Sequence, residues 1–334
     1  MAKWQEINEE ILKAGNTDQV RRQKLDALAK ITQRPVLLYA VDMFNGGKIA
    51  AAGGDIAIDL SDKDGFFEGL TGISGPNLDV IIHSPGGSPE ATESLVNMLR
   101  SRFNHIRVIV PSVAKSAATM FAMAADEIIM GTDAEMGPTD VQLKINGRLQ
   151  PAHAILRQFE KAKKELAGNN KDLPAWLPIL QQYGPALLVE CEDGQTLTRR
   201  LVEDWVAQYM LKGQKDAVEK AKKISQFLAS KDHLSHGRAI PISELKKMGV
   251  NIKLAAECTP SIAQPIQDIN YAILQTFSMT PTYKLFENNK GPGLYKQVKQ
   301  TATQLPMMML PTKSPTGITK APLQLIPAIP VERT

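Results

Sequence analysis

The sequence predicts an α/β fold, a mostly parallel sheet with helices around it. Three observations carry that expectation. Short apolar runs alternate with amphipathic segments, the order that parallel strands with helical crossovers require. Glycine, proline and capping serines stand at the strand-to-helix junctions. A chain of 334 residues with 43% hydrophobic content can close a large core.

Taken in order, residues 1–31 place Trp4, Ile7, Ile11, Leu12, Leu25, Leu28 and Ile31 at roughly helical spacing, which predicts a packing or oligomerisation helix. This segment has no apolar run of signal-peptide or membrane length. Residues 35–41 form a first strand, and Asn45-Gly46-Gly47 and Gly53-Gly54 mark loops. The second glycine pair lacks the GxGxxG context of a dinucleotide site. A helix over 61–70, capped by Ser61, returns the chain to a strand over 78–82 that ends at Pro85-Gly86-Gly87. Ser88 then caps a helix with Pro89 at its first position and Glu90 at the positive end of its dipole. Leu95, Met98, Leu99 and Phe103 give that helix one buried stripe.

Residues 106–110 are the next strand, and a turn through Lys115 leads to Ser116 and a small-residue helix over 117–125, followed by a third short strand. Helices follow over 151–166, 186–190, 197–211, 216–230 and 243–248, with a last one over 262–277. Residues 280–334 read as an irregular tail rich in Pro, Thr, Lys and Met, with an apolar patch at 305–311.

Composition narrows the function. A formal charge of +4 is small for this length and does not argue for nucleic acid. The basic face of 216–230 has Phe227 as its one aromatic, which supplies no stacking platform. Two cysteines, Cys191 and Cys258, imply no disulfide framework, a reducing compartment and a cytoplasmic setting. Neither has a partner at metal-ligand spacing, and no cofactor or metal is expected.

The chemistry lies at two strand-to-helix turns. Acyl transfer needs a nucleophile, a base and donors aimed at the developing oxyanion. Ser116 stands where a helix leaves N–H groups unpaired, and Gly86-Gly87 lets backbone approach a substrate carbonyl. On local pattern alone, Ser116 is equally an N-cap and Gly86-Gly87 a plain turn.

The combination of Ser84-Pro85-Gly86-Gly87 after a strand, Ser116-Ala117-Ala118 opening a helix, and the following Ala124-Ala125-Asp126-Glu127-Ile128-Ile129-Met130-Gly131 resembles the Clp-protease/crotonase superfamily. Within it the chain is similar to signal peptide peptidase A-type serine peptidases. It is most similar to the serine dehydrogenase proteinases, through Met136-Gly137-Pro138-Thr139-Asp140 and the run 174–180. The likeness covers residues 35–255 and is strongest over 78–140.

It implies a peptidase domain over 35–257, between a helical extension at 1–34 and a helix with tail at 258–334. It also implies Ser116 as nucleophile and the N–H groups of Gly87 and Ala117 as oxyanion donors, with Gly86 shaping the turn. The family's activity implies peptides or unfolded proteins as substrate and a homo-oligomer as the working form; from the small charge and the missing apolar stretch, neither nucleic acid nor an integral membrane segment is expected.

The base is the open position. Clp-type peptidases carry a His in the region that reads 135–140 here, and this chain has none there. Signal peptide peptidase A-type enzymes use a Lys in a Lys-Asp segment well beyond the nucleophile. Lys171-Asp172 stands 55 residues after Ser116. A lysine base must be neutral, which needs burial or a nearby cation. Lys161, Lys163, Lys164, His153 and Asp140 are the alternatives. His83 is expected to be a hydrogen-bonded structural residue and Lys115 a solvated or partner-facing charge. His236 and Arg238, in a stretch similar to the family's closing motif, are expected to be structural or interface residues. A crotonase-like acyl-CoA enzyme and an inactive scaffold are the other functional readings.

Overall fold

The computed structural model describes residues 3–168 and 170–299. Its frame is a seven-stranded sheet, numbered here in chain order: β1 (Val36–Val41), β2 (Asn77–His83), β3 (His105–Val110), β4 (Glu127–Met130), β5 (Ile252–Leu254), β6 (Thr282–Asn288) and β7 (Gly293–Gln297). Across the sheet the order is β7-β6-β1-β2-β3-β4-β5. The first five strands in sequence are mutually parallel, and β6 and β7 add antiparallel beside β1. The expected α/β architecture with a mostly parallel sheet is present.

Both faces are covered, which is why β1 is apolar throughout instead of alternating. Side chains of opposite parity enter two different cores. Leu37, Tyr39, Leu78, Val80, Ile82 and Val108 face the helices Asp62–Gly69, Pro89–Arg100, Ala117–Met123, Leu187–Trp205 and Ala217–Leu228. Leu38, Ala40, Ile81, Ile109 and Ile129 face Leu25 and Leu28 of the helix Thr17–Thr32 and Ile266, Ile269 and Ile273 of the helix Ala263–Met279. Each fully buried Leu or Ile contributes about 1.5–3 kcal/mol of transfer free energy.

The amphipathic N-terminal segment is two helices, Lys3–Ala14 and Thr17–Thr32. Gly15 takes φ +66 between them, and Asn16 caps the second by accepting from the Asp18 N–H at 2.7 Å. The helices placed outside the central domain by the sequence pattern pack on the sheet or on each other. The described residues up to 299 cluster as one compact unit.

Two further expectations are corrected. The tail predicted from residue 280 begins with β6, every residue of which is buried, and β7; the apolar patch at 305–311 lies outside the described residues. The helices expected at 186–190 and 197–211 are one, Leu187–Trp205, continued by a π turn over Val206–Met210. A hairpin of Gln142–Ile145 and Arg148–Pro151 precedes the helix Ala152–Gly168. Its turn is Asn146-Gly147, with φ +50 and +79, the backbone an Asn-Gly hairpin requires.

Candidate active site

The site is built where β2 and β3 release the chain. Past His83, Ser84 pairs with Ala114 as an isolated parallel bridge, its N–H donating to Val113 O at 3.1 Å and its carbonyl accepting from Lys115 N–H at 3.1 Å. Pro85-Gly86-Gly87 therefore begins against the turn that carries Ser116. A Cβ on Gly86, which takes φ +95, would lie 2.5 Å from Lys115 O and 2.7 Å from both Ala117 N and Ser116 Cβ. Only glycine permits so close a contact between the two turns.

Ser116 takes φ 52 and ψ −122, a conformation that costs a side-chain-bearing residue about 1–3 kcal/mol. It stands at the N-cap of Ala117–Met123 but caps nothing, and its Oγ has no hydrogen-bond partner among the described residues. Ser88 shows the contrast. That serine has extended backbone, and its Oγ accepts from Ala91 N–H at 3.0 Å. The reading of Ser116 as an ordinary cap does not fit. A strained serine on a sharp turn between strand and helix, its hydroxyl left over, is the arrangement that presents a nucleophile.

The predicted donors flank it. Neither the Gly87 nor the Ala117 N–H has an acceptor among the described residues. Gly86 N–H is engaged with Ser84 Oγ at 3.1 Å. A Cβ on Gly87 would lie 2.3 Å from both Ile58 N and Ile58 O, so this position too admits only glycine.

The turn is held from behind. Val113-Ala114 pairs with Glu135-Met136, and Gly137 N–H donates to Ala114 O at 3.1 Å. Buried Thr119 lies with its Oγ1 2.9 Å from both Ala114 O and Gly137 O. Lys115 Nζ makes an ion pair with exposed Glu135 at 2.9 Å.

Three residues past Gly137, Asp140 is buried and brings together groups far apart in sequence. It accepts from His236 Nδ1 at 2.8 Å and from Gln142 Nε2 at 3.0 Å, and His153 Nδ1 stands 3.8 Å away. Burial opposes ionisation of Asp140, but His236, with a smaller effect from His153, outweighs it and lowers the carboxyl below its ordinary range. A carboxylate can only accept, so His236 carries a proton on Nδ1. In the neutral imidazole Nε2 is then the acceptor, and it has no partner among the described residues. Sequence reasoning missed the pairing of His236 with Asp140. Both lie in stretches that resemble the family, but 96 residues separate them.

Lys171 lies on a 3-10 turn, Asn170–Asp172, and is exposed. Among the described residues it lacks the burial that a lysine base needs. Lys161 and Lys163 form exposed ion pairs with Glu165 and Glu160, and Lys164 is exposed. His83 departs from its expected hydrogen-bonded role: it is fully buried, yet neither ring nitrogen has a partner among the described residues. Burial pulls its imidazole down to about 4, against a smaller upward effect of Asp42.

Among the described residues, one cluster has the spacing of a cation site, Asp55, Asp59 and Asp62. Lysine ammonium groups already fill it, Lys284 at 2.7 Å from Asp62 and Lys296 at 2.8 Å from Asp55. No helix among the described residues is long and apolar enough to cross a membrane.

Residues 71–173 match the family model described as ClpP-like SDH-type serine proteinase. Two curated relatives come from Methanocaldococcus jannaschii. The uncharacterized protein MJ0137 is 31% identical over 52% of this chain and 53% of its own length. The uncharacterized protein MJ1495 is 30% identical over 52% of this chain and 51% of its own. The chain thus spans about half the length of the curated relatives it matches.

Proposed function

We propose, from the premise that residues 71–173 belong to the ClpP-like SDH-type serine proteinase family, that this protein is a serine endopeptidase with Ser116 as its nucleophile. The observation that carries the reading is the Ser116 backbone, held at φ 52 and ψ −122 with an uncommitted hydroxyl beside two unpaired N–H groups. Ser116 Oγ attacks the scissile carbonyl, and the oxyanion that forms is met by Gly87 and Ala117 N–H. The Gly87 carbonyl also has no donor among the described residues. Gly87 therefore offers both backbone groups on one side, which suits a peptide bound in extended form and supports peptides or unfolded chains as substrate.

Beside the bases expected from sequence, the geometry favours His236. Its Nδ1 is committed to a buried carboxylate, and Asp140 belongs to the segment whose beginning touches the Ser116 turn. Lys171 serves as base only where another chain encloses it. Assembly into a homo-oligomer is part of this proposal, supported by the helix Leu173–Leu180, which has no buried residue and leaves Leu173 and Leu177 exposed.

The test is the rate at which a fluorophosphonate labels Ser116, followed by mass spectrometry, alongside cleavage of casein. Wild type is expected to label and cleave, and Ser116→Ala to do neither. His236→Ala should slow labelling by about 10²–10⁴, the usual contribution of a positioned base, while Lys171→Ala changes little. The reverse pattern would move the base to Lys171. A wild type that neither labels nor cleaves would leave the inactive scaffold as the better reading.

A further inference from the structure

We propose that Lys284, buried on β6 and remote in sequence from every residue of the site, polarises and positions the Gly87 oxyanion donor through two peptide groups in series. The inference rests on the serine-peptidase reading above.

The path is continuous. Lys284 Nζ donates to Ala57 O at 2.8 Å. That carbonyl belongs to the same planar peptide as Ile58 N–H, which donates to Gly86 O at 2.8 Å. The Gly86 carbonyl in turn belongs to the same peptide as Gly87 N–H, the unpaired donor facing the site. In a trans peptide the C=O and N–H bonds point in opposite directions, so their dipoles are aligned and add. A cation drawing on the first oxygen therefore makes each successive N–H a better donor, and hydrogen bonds in such a chain strengthen one another. Lys284 is fully buried, so water does not screen it as it would a surface charge.

The same residues fix the direction of the donor. Ser88 N–H donates to Ile58 O at 2.8 Å, so Ile58 grips the chain on both sides of Gly87 and turns the Gly87 N–H away from itself. Ile58 lies outside the central sheet. Its segment is tied down by Lys284 on Asp62 at 2.7 Å, Tyr39 Oη on Asp62 at 2.9 Å, and Lys296 on Asp55 and Ser61 at 2.8 and 2.6 Å. This also accounts for a lysine on a fully buried strand. Desolvation pushes its pKa down, against the upward pull of Asp62, and a buried charge persists only when partners surround it.

The experiment compares Lys284→Met with Lys284→Arg, reading kcat and KM separately on a peptide substrate and the amide proton shift of Gly87 in protein labelled with ¹⁵N-glycine. Lys284→Met is expected to lower kcat by about 10–100-fold with KM unchanged, less than the ~10²–10³ lost when an oxyanion donor is removed outright. The Gly87 amide should move upfield, and Lys284→Arg should recover part of both effects. Because Lys284→Met strands a buried carboxylate, Lys284→Met/Asp62→Leu is made in parallel to keep the fold. Glu287→Gln, which weakens an ion pair elsewhere on β6, controls for general destabilisation and should leave kcat unchanged. A folded double variant with wild-type kcat and an unmoved Gly87 amide overturns the proposal. If wild-type Ser116 does not react with fluorophosphonate at all, the peptidase reading falls first, and the amide shift alone then decides whether the relay exists.

Discussion

Replacing His83 by leucine should make the protein more resistant to acid, and the size of the effect follows from the site. His83 sits at the end of β2, fully buried, with both ring nitrogens unpartnered and the Phe44 ring 6.1 Å away. The acidic group acting on it is Asp42, itself paired with Lys48 at 3.0 Å. Burial lowers the imidazole from its ordinary 6.5 to about 4. Between these values the unfolded chain binds a proton that the folded chain refuses. The contribution of His83 is therefore neutral above 6.5, grows more destabilising as pH falls, and levels off below about 4. From pH 7 to pH 5 this linkage removes about 2 kcal/mol. Urea unfolding of wild type and His83→Leu at both pH values isolates it, because every other titration cancels in the double difference. The stability of His83→Leu relative to wild type should be about 2 kcal/mol more favourable at pH 5 than at pH 7. A relative stability equal at both values, within a few tenths of a kcal/mol, would refute the argument and require that the buried ring find a partner or a proton.

Other substitutions probe the remaining elements. Ser116→Gly should be about 1 kcal/mol more stable than Ser116→Ala, because glycine accepts φ 52 without strain while neither variant can attack; equal melting temperatures would deny the strain. Gly87→Ala should abolish fluorophosphonate labelling, since its Cβ would meet Ile58 backbone at 2.3 Å, and normal labelling would remove Gly87 from the site. Glu287→Ala removes the buried carboxylate 2.6 Å from Arg21 and leaves that guanidinium with half-exposed Asp18 as its remaining ion pair. It should cost about 3–5 kcal/mol in urea unfolding, and a loss below 1 kcal/mol would count against the pair.

The parallel strands and the Ser116 turn were legible because their signals are local: apolar runs, a glycine pair, small residues opening a helix. What the sequence left hidden is non-local. Strand β6 reads Thr-Tyr-Lys-Leu-Phe-Glu-Asn, and its two charges mask a buried strand until Asp62 and Arg21 are found beside them. The helix Leu187–Trp205 was expected as two, over 186–190 and 197–211, yet it runs through Gly194, where Val141 fills the space 3.2 Å from where a Cβ would stand. The dihedral angles of Ser116 could not be read from residue types. They follow from the bridge at Ser84 and the anchoring of Thr119, contacts that exist only once the sheet has formed.

The pairing of β1 with β6 sets an order of assembly. Leu37 lies opposite Asn288 and Val41 opposite Lys284, so this ladder closes a loop far longer than any crossover among the parallel strands, and contacts of such separation form late. During synthesis, Ser116, Gly87 and Ala117 leave the ribosome well before Lys284. A growing chain thus holds the Ser116 turn before Lys284 can donate to Ala57 O. On the serine-peptidase and Lys284 proposals, peptidase strength is deferred until β6 docks, which would keep the unfinished chain from cutting the unfolded polypeptides, including its own, that surround it at birth.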